Sequence, residues 1–377
     1  MKLSINFIYL FITINFIFSN IKILNNGELI LTYSENNKIK SIETKKFKKH
    51  FKVGLTKFNL MENSIVEIDE KGKPILQKGI IVFSNYKNDK INYKLLFNNR
   101  WGETQFLRIE SSTIIKDISS DVNITFYEEN KNWQLKPKLH YLFKKNNKFY
   151  YGFFIPYSIF NPIKSIDIDI KIFSKNNLYS IIKLQQDILP KEWNKQVIKF
   201  SPKKSKELKE ANREKFEEER KKRWRVWERN PSIVYFKDGY VYPVKDITYM
   251  TSDFGLIREW RLNNGKLYSK DTHAGLDYAN LKGTPVYACA SGIVKYAEYG
   301  EYVGNMVIIE HGLGLCSGYM HLDSISVQEN QFIHKGEEIG KMGATGAATG
   351  PHIHWEVRIY GIAVDPRILF DIQKIFE

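Results

Sequence analysis

Cysteine is nearly absent from this sequence, which contains only Cys289 and Cys316 among 377 residues. Two cysteines exclude a disulfide-rich scaffold, and they also exclude a zinc site built from four thiolates. Both residues lie in apolar stretches that are typical of strands. A single bridge and two buried free thiols are therefore both open interpretations.

Long apolar runs are absent after residue 20, so no membrane span is predicted beyond that point. Residues 1–20 begin with Lys2 and continue with Ile, Leu and Phe, although Ser4 and other polar residues interrupt the run. This pattern is typical of a signal peptide cleaved near Ser19 or Asn20, and an uncleaved N-terminal anchor is the alternative. We therefore expect an exported protein of the periplasm or cell envelope.

The charge of the chain is unbalanced, because 57 Lys and Arg against 42 Asp and Glu leave a net charge of +15. An excess of this size favours anionic partners such as nucleic acid, acidic lipid head groups or an anionic cell-wall polymer. Much of it is Lys scattered beside Asn and Ile, which also indicates a compositional bias. Since export argues against nucleic acid, an anionic envelope surface is the partner that the charge suggests.

The pattern of residues 21–200 predicts a β-rich accessory domain with a sandwich-like fold. Short runs of β-branched and aromatic residues alternate with turn-forming Asn, Asp and Gly. Between Ser165 and Phe173, isoleucine occupies every second position, which gives a strand one apolar face. The segments Gly79–Phe83 and Val122–Tyr127 indicate strands in the same way. We expect the chain as a whole to be mainly β.

Residues 201–231 are densely charged and free of glycine, which predicts a solvated linker helix between two domains. Phe216, Trp224 and Trp227 are candidates for docking this helix on a neighbour, and Pro231 is expected to end it. A basic helix that touches acidic lipid or wall polymer is the alternative interpretation.

Residues 232–377 predict a separate glycine-rich antiparallel β domain, and six of the eight histidines lie in it. His352 and His354 form a His-x-His pair, and residues i and i+2 of a strand point to the same face. Two adjacent imidazoles on a dry surface lack partners, and a metal ion resolves this. His273 and Asp277 can converge on the same point from a turn. Two imidazoles and one carboxylate are a usual catalytic zinc set that leaves a fourth position for water.

Three short motifs follow one another in this domain, namely His273-x-x-x-Asp277, His321-Leu322-Asp323 and His352-x-His354. Together they resemble the lysostaphin/LytM-type zinc peptidases, which cut peptide bonds in bacterial peptidoglycan. The resemblance covers about residues 242–369, roughly a third of the chain. It extends to several neighbouring segments: Asn264-Gly265-Lys266, Gly283-Thr284-Pro285-Val286, Gly292-Ile293-Val294, Gly304-Asn305, Gly343-x-Thr345-Gly346 and Val364-Asp365-Pro366.

By position, the resemblance implies His273, Asp277 and His354 as ligands of one zinc ion, and His321 and His352 as catalytic histidines. It implies a zinc metalloendopeptidase that hydrolyses peptide crosslinks between the peptide stems of peptidoglycan. A non-catalytic envelope protein that binds peptidoglycan or activates another cell-wall hydrolase is the alternative. The complete ligand set argues against that alternative.

The sequence lacks a His-Glu-x-x-His motif, so a histidine must replace the glutamate base that such a motif supplies. We expect zinc to lower the pKa of its bound water to about 7. Proton transfer is assigned to His352 and oxyanion stabilisation or proton relay to His321, and these two roles are exchangeable. Gly343–Gly350 is expected to form one wall of the groove, where small residues admit a close backbone.

Four further residues have roles that the sequence leaves open. Arg258 binds a substrate carboxylate or pairs within the domain, and Asp323 orients His321 or serves a local turn. His311 is expected to be structural or to support a ligand, and His334 to be an exposed turn residue. From the architecture alone, the N-terminal domain or the charged helix is a candidate for covering the groove.

Overall fold

A computed structural model of the chain describes the strands between residues 18 and 96 and, beyond them, residues 100–111, 119–160, 162–174, 177–199, 213–247 and 249–376. Most of the predicted signal segment, residues 1–17, lies outside the described residues, and residues 18–20 belong to the first strand. Its cleavage therefore stays a prediction. None of the helices in the described ranges is both long and apolar enough to cross a bilayer.

The described part of the chain is mainly β, as the sequence predicts. The strands, in chain order, are β1 (Phe18–Ile23), β2 (Leu29–Glu35), β3 (Lys38–Thr44), β4 (His50–Val53), β5 (Thr56–Leu60), β6 (Ile65–Ile68), β7 (Pro74–Lys78), β8 (Ile80–Asn85), β9 (Ile91–Leu96), β10 (Thr104–Ser111), β11 (Ser119–Tyr127), β12 (Asn132–Leu135), β13 (His140–Lys145), β14 (Lys148–Pro156), β15 (Ser165–Ser174), β16 (Asn177–Asp187), β17 (Lys195–Lys199), β18 (Met250–Ser252), β19 (Ile257–Arg261), β20 (Leu267–Thr272), β21 (Gly275–Ala279), β22 (Pro285–Tyr287), β23 (Gly292–Gly300), β24 (Gly304–Gly312), β25 (Leu315–Ile325), β26 (Phe332–Ile333), β27 (Glu338–Met342), β28 (His352–Ile359) and β29 (Ile362–Val364). The α-helices are α1 (Arg213–Trp227) and α2 (Leu369–Ile372), and short 3-10 helices span Phe236–Asp238, Pro366–Ile368 and Gln373–Phe376.

The first of two compact units contains two antiparallel sheets. Their strand orders are β3-β2-β1-β6-β7 and β12-β11-β15-β16-β8-β5-β4. The alternation predicted for Ser165–Phe173 is confirmed, because every isoleucine of that stretch is buried. Val122, Ile124 and Phe126 of β11 stand opposite these isoleucines and are buried as well. Period-two burial on paired strands thus builds the apolar face of the larger sheet.

The second compact unit contains the ten-stranded antiparallel sheet that carries the six C-terminal histidines or the turns beside them. Its main order is β18-β21-β28-β25-β24-β23-β26, and β22, β27 and β29 attach to this path. A four-stranded sheet, β13-β14-β10-β9, and a three-stranded sheet, β17-β19-β20, belong to the same unit. In the three-stranded sheet β17 runs parallel to β19, whereas β20 is antiparallel to it.

The second unit is discontinuous in sequence, unlike the predicted domains. It includes three segments of the predicted accessory domain, residues 93–110, 140–162 and 190–199. Contacts between residues distant in the sequence join these segments to the rest of the unit: the Asp365 N–H donates to Gly102 O at 2.7 Å, and Arg108 Nη1 donates to Ile375 O at 3.1 Å. Because strands of both units alternate apolar and polar residues, the sequence pattern cannot show to which unit a strand belongs. The boundaries at 200 and 231 stay sequence-based predictions.

Helix α1 lies within the segment predicted to be helical, and residues 200–212 are outside the described part. The docking predicted for its aromatic residues is confirmed for Trp227, which is 3% exposed. Trp227 packs in an apolar cluster of the ten-stranded sheet that includes Tyr296, Val303 and Met306. Gly318 leaves the necessary room, because a Cβ there would lie 2.6 Å from the Trp227 ring. The helix is therefore a packed part of the second unit.

Candidate metal centre and histidine pair

The register of two neighbouring strands brings the three predicted ligands together. Asp277 on β21 stands directly opposite His354 on β28 in an antiparallel pair. His273 lies in the short turn between β20 and β21, four residues before Asp277. His352 and His354 share one face of β28, as the His-x-His spacing predicts.

Three ligand atoms meet at one point. His273 Nε2 lies 3.0 Å from Asp277 Oδ1 and 2.9 Å from His354 Nδ1, and His354 Nδ1 lies 2.8 Å from Asp277 Oδ1. Both His273 and Asp277 are buried, and His354 is half-buried. Among the described residues this is the group of His, Cys, Asp and Glu whose atoms could hold a metal ion.

Hydrogen bonds alone cannot satisfy these three ligand atoms, because too few protons are available between them. His273 Nδ1 donates to the Asp253 carbonyl at 2.7 Å, so a neutral His273 presents a lone pair at Nε2. Burial lowers the pKa of His273 and favours this neutral form. Burial raises the pKa of Asp277, but the two neighbouring imidazoles outweigh this effect and hold the pKa well below the usual value. One proton can bridge one pair of these atoms, whereas a divalent cation satisfies all three. The residues therefore fit a metal ion.

Arg258 completes the support of the carboxylate. Its Nη2 lies 2.7 Å from Asp277 Oδ2, which leaves Oδ1 directed at the meeting point. Of the two roles that the sequence left open for Arg258, the structure thus supports pairing within the domain. Arg258 also lies over the Trp260 ring, with its guanidinium carbon 5.9 Å from the ring centroid. Sequence reasoning found Arg258 but not its partner, because a strand pattern does not reveal which carboxylate lies opposite.

The two histidines predicted to be catalytic lie beside this cluster of three residues. The ring centroids of His321 and His352 are 4.8 Å apart, and His321 is 6.5 Å from His354. His321 Nδ1 donates to the Thr345 carbonyl, and His352 Nδ1 donates to the Gly350 carbonyl, both at 2.8 Å. When neutral, each ring therefore offers Nε2 as an acceptor. Sequence reasoning missed these two carbonyls, although both belong to the predicted groove wall Gly343–Gly350.

Burial of His321 determines its protonation state. Desolvation, together with the neighbouring His352 and His354, lowers the pKa of His321 to about 3. The ring is thus neutral at neutral pH, and its backbone adopts the uncommon positive φ of 64°. Its backbone N–H donates to the Val303 carbonyl at 2.9 Å, so ring and backbone are both held.

The remaining candidates lie outside this cluster. His311 is fully buried, between the Ser291 carbonyl at 2.9 Å and the Ser317 hydroxyl at 2.7 Å, which agrees with a structural role. His334 is exposed in a turn, as predicted. Asp323 pairs with Lys282 at 2.9 Å. The two cysteines are free and buried, so the bridge interpretation is wrong.

Comparison with known proteins places the site in a recognised domain. Residues 271–366 match the model of Peptidase family M23, a family of metallopeptidases, and all five predicted site residues lie in that range. The chain therefore contains a Peptidase M23 domain, which confirms the resemblance seen in the sequence.

The chain is also similar to curated proteins and to one solved structure. The chain is 36% identical over 139 residues to the DD-carboxypeptidase/endopeptidase Mpg of Neisseria meningitidis, covering 36% of this chain and 30% of that protein. It is 41% identical over 93 residues to the peptidoglycan DD-endopeptidase ShyA of Vibrio cholerae, covering 25% of this chain and 22% of that protein. The catalytic domain of lysostaphin from Staphylococcus simulans is 28% identical, with 32% of this chain and 91% of that domain covered at a TM-score of 0.28. The matched part thus spans less than a third of these two curated relatives.

Proposed function

We propose that this chain is a zinc metalloendopeptidase that hydrolyses peptide crosslinks of bacterial peptidoglycan. The observation that carries the proposal is the meeting of His273 Nε2, Asp277 Oδ1 and His354 Nδ1 within 3.0 Å of one another. The M23 domain match over residues 271–366 supports the reaction class, and the names of the similar proteins support the substrate.

His273, Asp277 and His354 would hold one zinc ion, because two imidazoles and one carboxylate are a usual set for catalytic zinc. When bound, zinc acts as a Lewis acid and lowers the pKa of a coordinated water to about 7. Arg258 holds the second carboxylate oxygen of Asp277 and so keeps the first oxygen in the ligand position.

Proton transfer falls to the histidine pair. His352 is half-buried, and its Nε2 accepts the proton of the water that attacks the scissile amide; the same nitrogen then donates that proton to the leaving amine. His321 is held neutral by burial, and its Nδ1 proton is committed to Thr345 O. Its Nε2 has no proton to offer an oxyanion, and a pKa of about 3 makes it a weak base. We therefore assign His321 to accepting a hydrogen bond in the proton relay, while His352 takes up the proton. This favours relay over the oxyanion role that the sequence left open.

The substrate reaches the site beside the segment Gly343–Gly350, whose glycines and alanines admit an extended peptide backbone. A peptide crosslink of the cell wall is such an extended backbone. The net charge of +15 suits work next to anionic envelope polymers. We place the protein in the periplasm or cell envelope on these grounds and on the signal-like segment at residues 1–20.

Purified full-length protein should therefore release crosslinked muropeptides as monomers, contain about one zinc per chain and lose activity with a chelator. His354→Ala should abolish both zinc binding and cleavage, because it removes one of three ligands, and should leave the fold intact. His334→Ala is the matched control in an exposed turn of the same domain. Mass spectrometry of the digested wall and elemental analysis measure the two outcomes. Cleavage that survives in His354→Ala would refute the metallopeptidase proposal, and unchanged muropeptides with the wild type would favour a non-catalytic binding role.

A further inference from the structure

Helix α1 touches the turn between β23 and β24 through its N-terminal half. Glu219 Oε2 accepts from the Glu301 backbone N–H at 3.0 Å, and the Phe216 ring lies 5.8 Å from the Tyr302 ring, edge to face. Lys215 Nζ also lies 2.6 Å from Glu301 Oε1. Both side chains of that ion pair are exposed, so it contributes little to stability. The hydrogen bond to Glu219 is the stronger contact, because the Glu219 side chain is only 17% exposed and the accepting carboxylate is charged.

The same turn accepts hydrogen bonds from His321 and from the segment Gly343–Gly350. The Val303 carbonyl accepts from the His321 backbone N–H at 2.9 Å, and the Tyr302 carbonyl accepts from the Ala347 N–H at 2.8 Å. Ala347 lies two residues after Thr345, whose carbonyl holds the His321 ring. His321 is therefore fixed twice by groups that depend on the position of this turn.

The turn and the loop Gly343–Gly350 are packed in close contact. A Cβ at Gly346 would lie 2.5 Å from Tyr302 O, and the residue has a φ of +71°. A Cβ at Gly304 would lie 2.6 Å from the Thr345 carbonyl oxygen. Because the backbones touch without intervening side chains, a shift of the turn must move the loop with it.

We propose that α1 is a positioning element of the active site, with Glu219 as the positioning residue that holds the Glu301–Val303 turn and through it the ring of His321. This proposal depends on the proposed function in one respect only, namely the participation of His321 in the proton relay. The segment predicted as a linker therefore supports the reaction itself.

The test compares three full-length variants. Glu219→Ala removes the acceptor of the Glu301 N–H, and we expect kcat to fall about 10-fold with KM and zinc content unchanged, because small misplacements of catalytic groups are costly. Glu219→Gln keeps an oxygen that accepts this N–H, and should restore kcat to within about 2-fold. Glu217→Ala is the control, since Glu217 is exposed on the same helix and its carboxylate pairs with Arg220 at 2.7 Å.

A second readout does not depend on activity. Amide hydrogen exchange at residues 345–347 and the imidazole NMR signals of His321 should change in Glu219→Ala and remain as in the wild type in Glu217→Ala. A wild type that hydrolyses nothing would refute the proposed function, and the exchange data would still decide the role of α1. Equal kcat and equal exchange in both alanine variants would overturn the inference. Faster exchange across the whole sheet would also overturn it, because that indicates a general loss of stability.

Discussion

Replacing His321 by asparagine separates the proton-relay role from metal binding. His321 has a φ of +64°, a conformation that asparagine tolerates better than most residues. The asparagine amide can also donate a hydrogen bond towards the Thr345 carbonyl, which His321 Nδ1 now occupies at 2.8 Å. His321→Asn should therefore keep the loop in place and change the free energy of unfolding by less than about 1 kcal/mol.

The expected loss in turnover is large by comparison. A positioned acid or base contributes about 10²–10⁴-fold, so kcat of His321→Asn should fall by that factor. This corresponds to a rise of about 3–5 kcal/mol in the activation free energy, at roughly 1.4 kcal/mol for each factor of ten. Zinc content should stay near one per chain, because the three converging atoms belong to His273, Asp277 and His354.

The assay is release of muropeptides over time from purified peptidoglycan, with zinc measured on the same samples. His334→Asn makes the same chemical change in an exposed turn and should behave as the wild type. Turnover of His321→Asn equal to that of His334→Asn would refute the relay role. Loss of zinc from His321→Asn would show that His321 is a ligand and that the assignment of the cluster is wrong.

Two further predictions concern stability. Burial lowers the pKa of His311 to about 4, whereas an unfolded histidine titrates near 6.5, so the unfolded state binds more protons between these values and stability falls as the pH drops through them. In the wild type this lowers the free energy of unfolding by about 2 kcal/mol between pH 7.5 and pH 5, and His311→Asn should remove that part of the pH dependence. Urea unfolding at the two pH values measures it, and an unchanged pH dependence in the variant would contradict the prediction. Trp227→Ala should destabilise the second unit by about 3–5 kcal/mol, because it empties a buried site. The exposed Trp224, whose ring lies 5.0 Å from the Arg358 guanidinium, provides the control, and Trp224→Ala should cost at most about 1 kcal/mol.

The convergence of His273, Asp277 and His354 was predictable because its signals are local. The spacing of His352 and His354 defines one strand face by period two, and the turn that carries His273 is only four residues from Asp277. The pairing of β21 with β28 was not predictable from periodicity, yet it places Asp277 opposite His354. The family motifs supplied that missing step.

The groups that orient the site were largely beyond sequence reasoning. Backbone carbonyls of Asp253, Thr345 and Gly350 hold three of the histidine rings, and a carbonyl carries no sequence signature. The positive φ of His321 is equally invisible, since histidine adopts it only where the surrounding chain requires it. The burial of Trp227 was predicted as docking of the helix, but the surface that receives it depends on Gly318 in strand β25.

The discontinuous second unit has a consequence for synthesis of the chain. Arg108 finds its carbonyl partner at Ile375, 267 residues later and near the C-terminus. The strands β10, β13 and β14 therefore emerge from the ribosome long before the sheet that completes their unit. Such distant pairings slow folding, because these early strands cannot complete their unit before the later strands have been synthesised.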